Sequence, residues 1–296
     1  MDAGGRRRPE ASLAHPGRPS TLRTRTPPST MPGIHQPAGV MRTMIKNLVK
    51  EKLQRGEPAV GSWLTLGSPL VAEYMAHIGY DWLVIDMEHG PADLPIAMGC
   101  CQAISTTSTV PIARVAWNDA VIIKRTLDIG ALGIVVPMVN TVEDAQRAVR
   151  ATKFPPEGIR SIALGRNGMA YGGGYLDEAN DQILVIVQIE HRDALANAAA
   201  IAATPGVDVC FVGPYDLSAT MGVPFGCEEH EAAIEHVLNV TRDAGCAAGI
   251  YAGFADSVTR RLEQGFTFIA HGGDTDFLVA GARNDYAMVR NALDAR

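Results

Sequence analysis

The chain has 296 residues, of which 47% are hydrophobic and 20% charged, with a formal net charge of −6. That is room for one large domain or two ordinary ones, and too apolar for a disordered polypeptide. Six arginines against Asp2 and Glu10 make residues 1–40 basic and leave the remainder strongly acidic. Such a remainder is a poor partner for nucleic acid, which clustered Lys and Arg must hold, and no run of about 18 apolar residues exists to enter a membrane.

Residues 1–40 hold seven of the eighteen prolines, with much Arg, Ser and Thr and no apolar periodicity, and are expected to form a disordered tail. An Arg-rich targeting segment is the alternative, although prolines break the helix such segments need; Met31, Met41 and Met44 are later candidate starts. Five cysteines (Cys100, Cys101, Cys210, Cys227, Cys246) form no C-x-x-C pair, which suits reduced thiols and a cytoplasmic location.

From residue 44 to 296 the pattern becomes regular. Apolar runs of strand length recur at Val60–Leu66, Trp82–Asp86, Pro111–Val115, Gly133–Val139, Ile183–Ile189, Val207–Val212, Cys246–Tyr251 and Phe266–Ala270. They are continuous rather than alternating, as in parallel strands buried on both faces. Helical spacing lies between them. Val71, Met75 and Ile78 share one stripe, and Val121, Lys124, Leu127 and Asp128 surround a mixed face. Thr141, followed three residues later by Asp144, marks a helix start over Thr141–Thr152. Strand and helix alternate eight times, with one interruption at residues 153–182. The fold class is therefore α/β, a (β/α)8 barrel of one domain. A doubly wound sheet competes, but Gly61-Ser62-Trp63 after the first run is not its phosphate-binding glycine pattern.

In such a barrel the chemistry sits where strands end. The second run ends in Asp86-Met87-Glu88-His89, the third in Arg114, the fifth in Gln188-Ile189-Glu190, and the sixth in Gly213-Pro214-Tyr215-Asp216. Glu190 and Asp216 stand one βα repeat apart. Two carboxylates converging in a dry pocket need a proton or a cation between them, and oxygen donors favour Mg2+ or Mn2+ over zinc. Read otherwise, both acids would cap the helices that follow. Gln188 shares a strand face with Glu190 and could orient a ligand. Asp86 and His89 suggest a carboxylate-oriented base, with a rim histidine bound to backbone as the alternative. Arg114 at a strand end suits an anionic oxygen; an ion pair with Glu88 or Asp86 is its plainer reading. Lys46, Lys50, Lys52, Lys124 and Lys153 all fall on helices, their edges or loops, so no lysine is placed for imine chemistry.

These segments resemble the HpcH/HpaI aldolase family of class II pyruvate aldolases. The motifs are Gly61–Leu64, Asp81–His89, Arg114–Asp119, Val136–Val139, Pro155–Arg160, Val187–Glu190 and Phe211–Ser218. The resemblance runs from about residue 45 to 290. It implies a barrel assembled as a homohexamer with exchanged C-terminal helices, and a divalent metal on Glu190 and Asp216 (Mg2+ or Mn2+, with Co2+ a third candidate). It also implies His89 and Asp86 as an acid–base pair, Arg114 as the enolate-stabilising cation, and Gln188, Gly213, Pro214, Asp216 and Trp63 around the substrate. The implied reaction splits a 4-hydroxy-2-oxo acid into pyruvate and an aldehyde through an enolate held by the metal. Rival readings are an oxaloacetate decarboxylase or macrophomate-synthase-like carbon–carbon bond former, and a non-catalytic barrel binding protein. Residues 161–171, the glycines 172–174 and His271–Asp274 depart from the family pattern and fall where the aldehyde half would rest.

Overall fold

The computed structural model describes Met1 and residues 44–295; the tail expected over residues 1–40 otherwise lies outside the described residues. Eight parallel strands close on themselves in sequence order. They are β1 (Ala59–Leu64), β2 (Trp82–Asp86), β3 (Val110–Arg114), β4 (Gly133–Val136), β5 (Leu184–Ile189), β6 (Val209–Val212), β7 (Ala247–Tyr251) and β8 (Phe268–Gly273). Each expected apolar run is a strand, and helices occupy the intervening segments, so the (β/α)8 barrel is the observed fold. The two largest departures from the expected runs, three residues each, are at strand ends. β4 stops at Val136 because Pro137 has no N–H to continue the ladder and Met138 turns to φ 53°. β8 runs on to Gly273, carried past a register shift against β1 between Gly61 and Trp63.

The barrel interior follows the two-residue period of its strands. Gly61 has no room for a side chain, since a Cβ there would lie 2.1 Å from the Trp82 ring. Trp82 takes that space and stacks on Phe268 at 4.1 Å between centroids, while Phe211 meets Phe268 edge-on at 6.1 Å. Trp63 caps the column, 5.4 Å from the Phe211 ring. Two residues on along the same parity, the side chains become polar: Val84 gives way to Asp86, Ile112 to Arg114, and Ile186 to Gln188 and Glu190. An apolar plug thus supports a polar mouth.

Helices begin where side-chain oxygens take up first-turn amides. Ser68, Asp93, Asp119 and Thr141 each serve as such a cap, and Thr141 with Asp144 forms the expected reciprocal pair. Two helical faces differ from the sequence reading. The helix Pro69–Ala76 buries Met75 as expected, but it ends before Ile78, which is exposed, and turns Ala72 and Ala76 inward. The helix Ala120–Asp128 turns Ile123, Thr126 and Leu127 inward and leaves Val121 outside. The interruption at residues 153–182 carries two short helices, Arg166–Tyr171 and Tyr175–Gln182. Arg160 ties it to the barrel: its buried guanidinium bonds Asp128 at 2.7 Å and the Tyr175 hydroxyl at 3.1 Å, and lies 4.4 Å from the Phe154 ring centroid.

Candidate active site

A cavity of about 540 Å³ opens at the C-terminal end of the barrel, within the usual range for small-molecule sites. Its lining includes every residue singled out from the sequence: Trp63, Asp86, His89, Arg114, Gln188, Glu190, Gly213, Pro214 and Asp216. No lysine lines it. Lys50 instead bonds Asp208 at 3.0 Å, and Lys153 donates to the Asn180 carbonyl, both away from the mouth.

Glu190 follows β5 and is almost fully buried. Its Oε1 accepts the Met138 amide at 2.8 Å, and its Oε2 accepts from Gln188 Nε2 at 2.8 Å. Burial pushes this carboxyl up to about 7, with Glu88 and Asp216 adding to the push and the Met138 amide and Arg114 opposing it. Gln188 Oε1 is buried and has no hydrogen-bond partner. Gly213 presses on the pair: a Cβ there would come within 2.7 Å of Glu190 Oε2. Asp216 lies in the first turn of the helix Pro214–Met221, which begins directly after Gly213. Pro214 has no amide hydrogen, and the first intrahelical bond runs from Leu217 N–H to the Gly213 carbonyl, so the Tyr215 and Asp216 amides stand free at the positive end of the helix.

On the other side of the mouth, the register sets Asp86 opposite Arg114. The guanidinium donates Nε to Asp86 Oδ1 at 3.0 Å and Nη2 to Oδ2 at 2.6 Å, and its Nη1 lies 3.1 Å from Glu88 Oε2. It also rests 5.4 Å from the Trp63 ring centroid. Burial alone would raise the Asp86 carboxyl; the bonds and charge of Arg114 override it and hold the group below its ordinary value. Glu88 moves up, burial outweighing Arg114.

Here the structure corrects the sequence reading. Asp86 does not hold the His89 imidazole; it accepts only the His89 backbone amide, at 3.3 Å. The imidazole is largely exposed, with Nε2 3.8 Å from Glu88 Oε1. The forked geometry of arginine matches a carboxylate two atoms at a time, and the closer claim on Asp86 comes from the neighbouring strand. Sequence reasoning gave Met138 no role, although Pro137-Met138 interrupting an apolar run was a visible signal. Tyr251, Thr65 and Asp276, which also line the cavity, had none.

The fold is a closed (β/α)8 barrel whose C-terminal mouth gathers buried acids and one fixed guanidinium, the site architecture of a barrel enzyme. The chain belongs to the HpcH/HpaI aldolase/citrate lyase family of carbon–carbon lyases, matching it over residues 59–280. A 4-hydroxy-2-oxo-heptane-1,7-dioate aldolase from Klebsiella pneumoniae is 44% identical over 244 residues, covering 80% of this chain and 92% of that protein. A family member of known structure from Burkholderia cenocepacia J2315 is 38% identical with a TM-score of 0.79, covering 82% of this chain and 99% of its own. Macrophomate synthase shares the fold, at 24% identity and a TM-score of 0.75, covering 88% of this chain and 96% of that one.

Proposed function

We propose that this protein is a divalent-metal-dependent aldolase that interconverts a 4-hydroxy-2-oxo acid with pyruvate and an aldehyde. The observation that carries this reading is Glu190, a buried carboxyl pushed up to about 7 that shares the cavity with Asp216 and accepts from Gln188, whose own oxygen is unpartnered. Burial of an acid near other acids is costly unless a cation is to be held there. No group of three or more His, Cys, Asp or Glu side chains suited to a metal occurs among the described residues; the candidate donors are the oxygens of Glu190, Asp216 and Gln188 lining the cavity. That set fits a hard ion that takes one or two carboxylates and keeps its waters. Glu190 and Asp216 would hold Mg2+ or Mn2+, with Co2+ as a third candidate, and the ion would supply a Lewis acid for the keto oxygen.

The chain's own residues do the rest. The free amides of Tyr215 and Asp216, after Gly213 and Pro214, bind the substrate carboxylate at a helix start. Trp63 and Gln188 confine the pyruvate half. Arg114, held in place by Asp86 and Glu88, presents a fixed positive charge to the oxygen on which negative charge gathers as the C3–C4 bond breaks. His89, at the open edge of the cavity, takes the proton of the C4 hydroxyl and returns it in the reverse direction.

Assembly into a homo-oligomer, a hexamer with exchanged C-terminal helices, is part of this reading. The helix Asp274–Asp294 exposes Leu278, Tyr286, Val289 and Leu293 along one side, an apolar stripe of the kind a partner subunit covers. No helix among the described residues is long and apolar enough to cross a membrane, and five free cysteines suit a cytoplasmic enzyme.

The test is exchange of the pyruvate methyl protons for deuterium with Mg2+ or Mn2+, and its arrest by EDTA. Absence of exchange under every divalent metal would favour a binding protein. Rapid oxaloacetate decarboxylation without aldol products would favour the decarboxylase.

A further inference from the structure

The side of the cavity made by β7, β8 and β1 has its own chemistry. Its wall comprises Thr65, Tyr251, Gly273, Thr275 and Asp276, with Tyr215 beside Tyr251 from the helix after β6. Tyr251 donates its hydroxyl proton to Asp276 Oδ2 at 2.7 Å, and the Gly273 amide donates to the same oxygen at 3.0 Å. Asp276 Oδ1 accepts from no described residue, and the side chain is open to the cavity.

The two threonines are similarly committed. Thr65 Oγ1 lies 2.7 Å from Asp274 Oδ1 and 2.6 Å from Thr275 Oγ1. Asp274 is buried and already accepts the amides of Thr65, Leu66 and Thr275, so it is the natural acceptor of the Thr65 proton. Thr275 can then donate to Thr65. With the protons of Tyr251, Thr65 and Thr275 committed to protein acceptors in this way, their lone pairs and Asp276 Oδ1 are left to offer a ligand. No Lys or Arg among the described residues lines this side. The basic groups of the cavity, Arg114 and His89, come from β3 and from the end of β2, and Arg114 is bound to Asp86 and Glu88.

Resting on the aldolase reading, we propose that the Tyr251–Asp276 wall selects an uncharged, hydroxylated aldehyde and rejects one that ends in a carboxylate. Tyr215 apart, the wall offers acceptors and one anion, which substrate O–H groups satisfy. A deoxy aldehyde leaves it unpaired, and a carboxylate meets Asp276 with no Lys or Arg of the described residues on that wall to offset the repulsion. The substrate class is therefore a 4-hydroxy-2-oxo acid with further hydroxyls and a single carboxylate. This differs from the Klebsiella relative, whose named substrate is a dioate.

The experiment compares pyruvate addition to glyceraldehyde, propionaldehyde and succinic semialdehyde with Mg2+, in wild type, Tyr251→Phe and Asp276→Asn. Each preparation is scored by the ratios of its kcat/KM values, so that loss of active fraction cancels. Wild type is expected to prefer glyceraldehyde by about tenfold or more over both others. Tyr251→Phe and Asp276→Asn should each collapse that preference, chiefly through the KM for glyceraldehyde. Equal or better use of succinic semialdehyde by wild type, or ratios unchanged in both variants, overturns the proposal while pyruvate deuterium exchange still supports the aldolase. Failure of that exchange in wild type overturns the aldolase reading and this selection with it.

Discussion

Gly213 faces Glu190 so closely that a Cβ would fall 2.9 Å from the Glu190 Cβ and 2.7 Å from its Oε2. The glycine is required by close approach, not by backbone conformation, since its φ is −91°. Gly213→Ala is therefore expected to push the carboxylate off its bonds to Met138 and Gln188. Overpacking of this kind costs about 1–3 kcal/mol in stability, read by thermal melting. Metal-supported deuterium exchange into pyruvate should fall at least about a hundredfold. Near-normal exchange in Gly213→Ala would show that the position of Glu190 is not critical.

Arg114 and Asp86 form a nearly buried pair on adjacent strands. Arg114→Ala should lower turnover by about 10²–10³ while metal binding, measured by calorimetry, persists. Asp86→Asn should destabilise the fold by about 3–5 kcal/mol and lower kcat through a displaced guanidinium. Full activity in Arg114→Ala would remove Arg114 from the mechanism.

The Glu190 carboxyl, at about 7 in the folded chain against a usual 4.5, sets a pH dependence. A carboxyl raised on folding stabilises through its neutral form. Its contribution is complete below about 4.5 and is lost as pH rises through about 7. The metal-free protein should therefore lose on the order of 2–4 kcal/mol across that window relative to Glu190→Gln. Urea unfolding at a series of pH values checks it, and parallel curves for the two proteins would refute it. Saturating Mn2+ should flatten the wild-type curve, because a cation stabilises the ionised group.

The exposed apolar side of the C-terminal helix leads to an expectation about assembly. Leu278→Glu combined with Val289→Glu should shift sedimentation from the proposed hexamer to smaller species, since both residues are exposed in the isolated chain. Unchanged sedimentation would mean that this helix makes no subunit contact.

Much of this protein is readable one residue after another. Parallel strands buried on both faces leave unbroken apolar runs, so all eight strands stood out. Thr141 and Asp144 announced their helix because a cap is satisfied within four residues. The period of two then carried Gln188 and Glu190 to one face, and strand ends placed Asp86, Arg114 and Asp216 at the mouth. Pairing across strands was not readable in that way. Asp86 was matched to His89, three residues along the chain, but its carboxylate is taken by Arg114, 28 residues away and directly opposite in the register. The Met138 amide on Glu190 and the Tyr251–Asp276 bond likewise join positions 52 and 25 residues apart. Periodicity and capping are local consequences of backbone geometry and burial, and a linear sequence records them. Which charge meets which depends on how a closed sheet aligns its neighbours, and that alignment exists only once the barrel has formed.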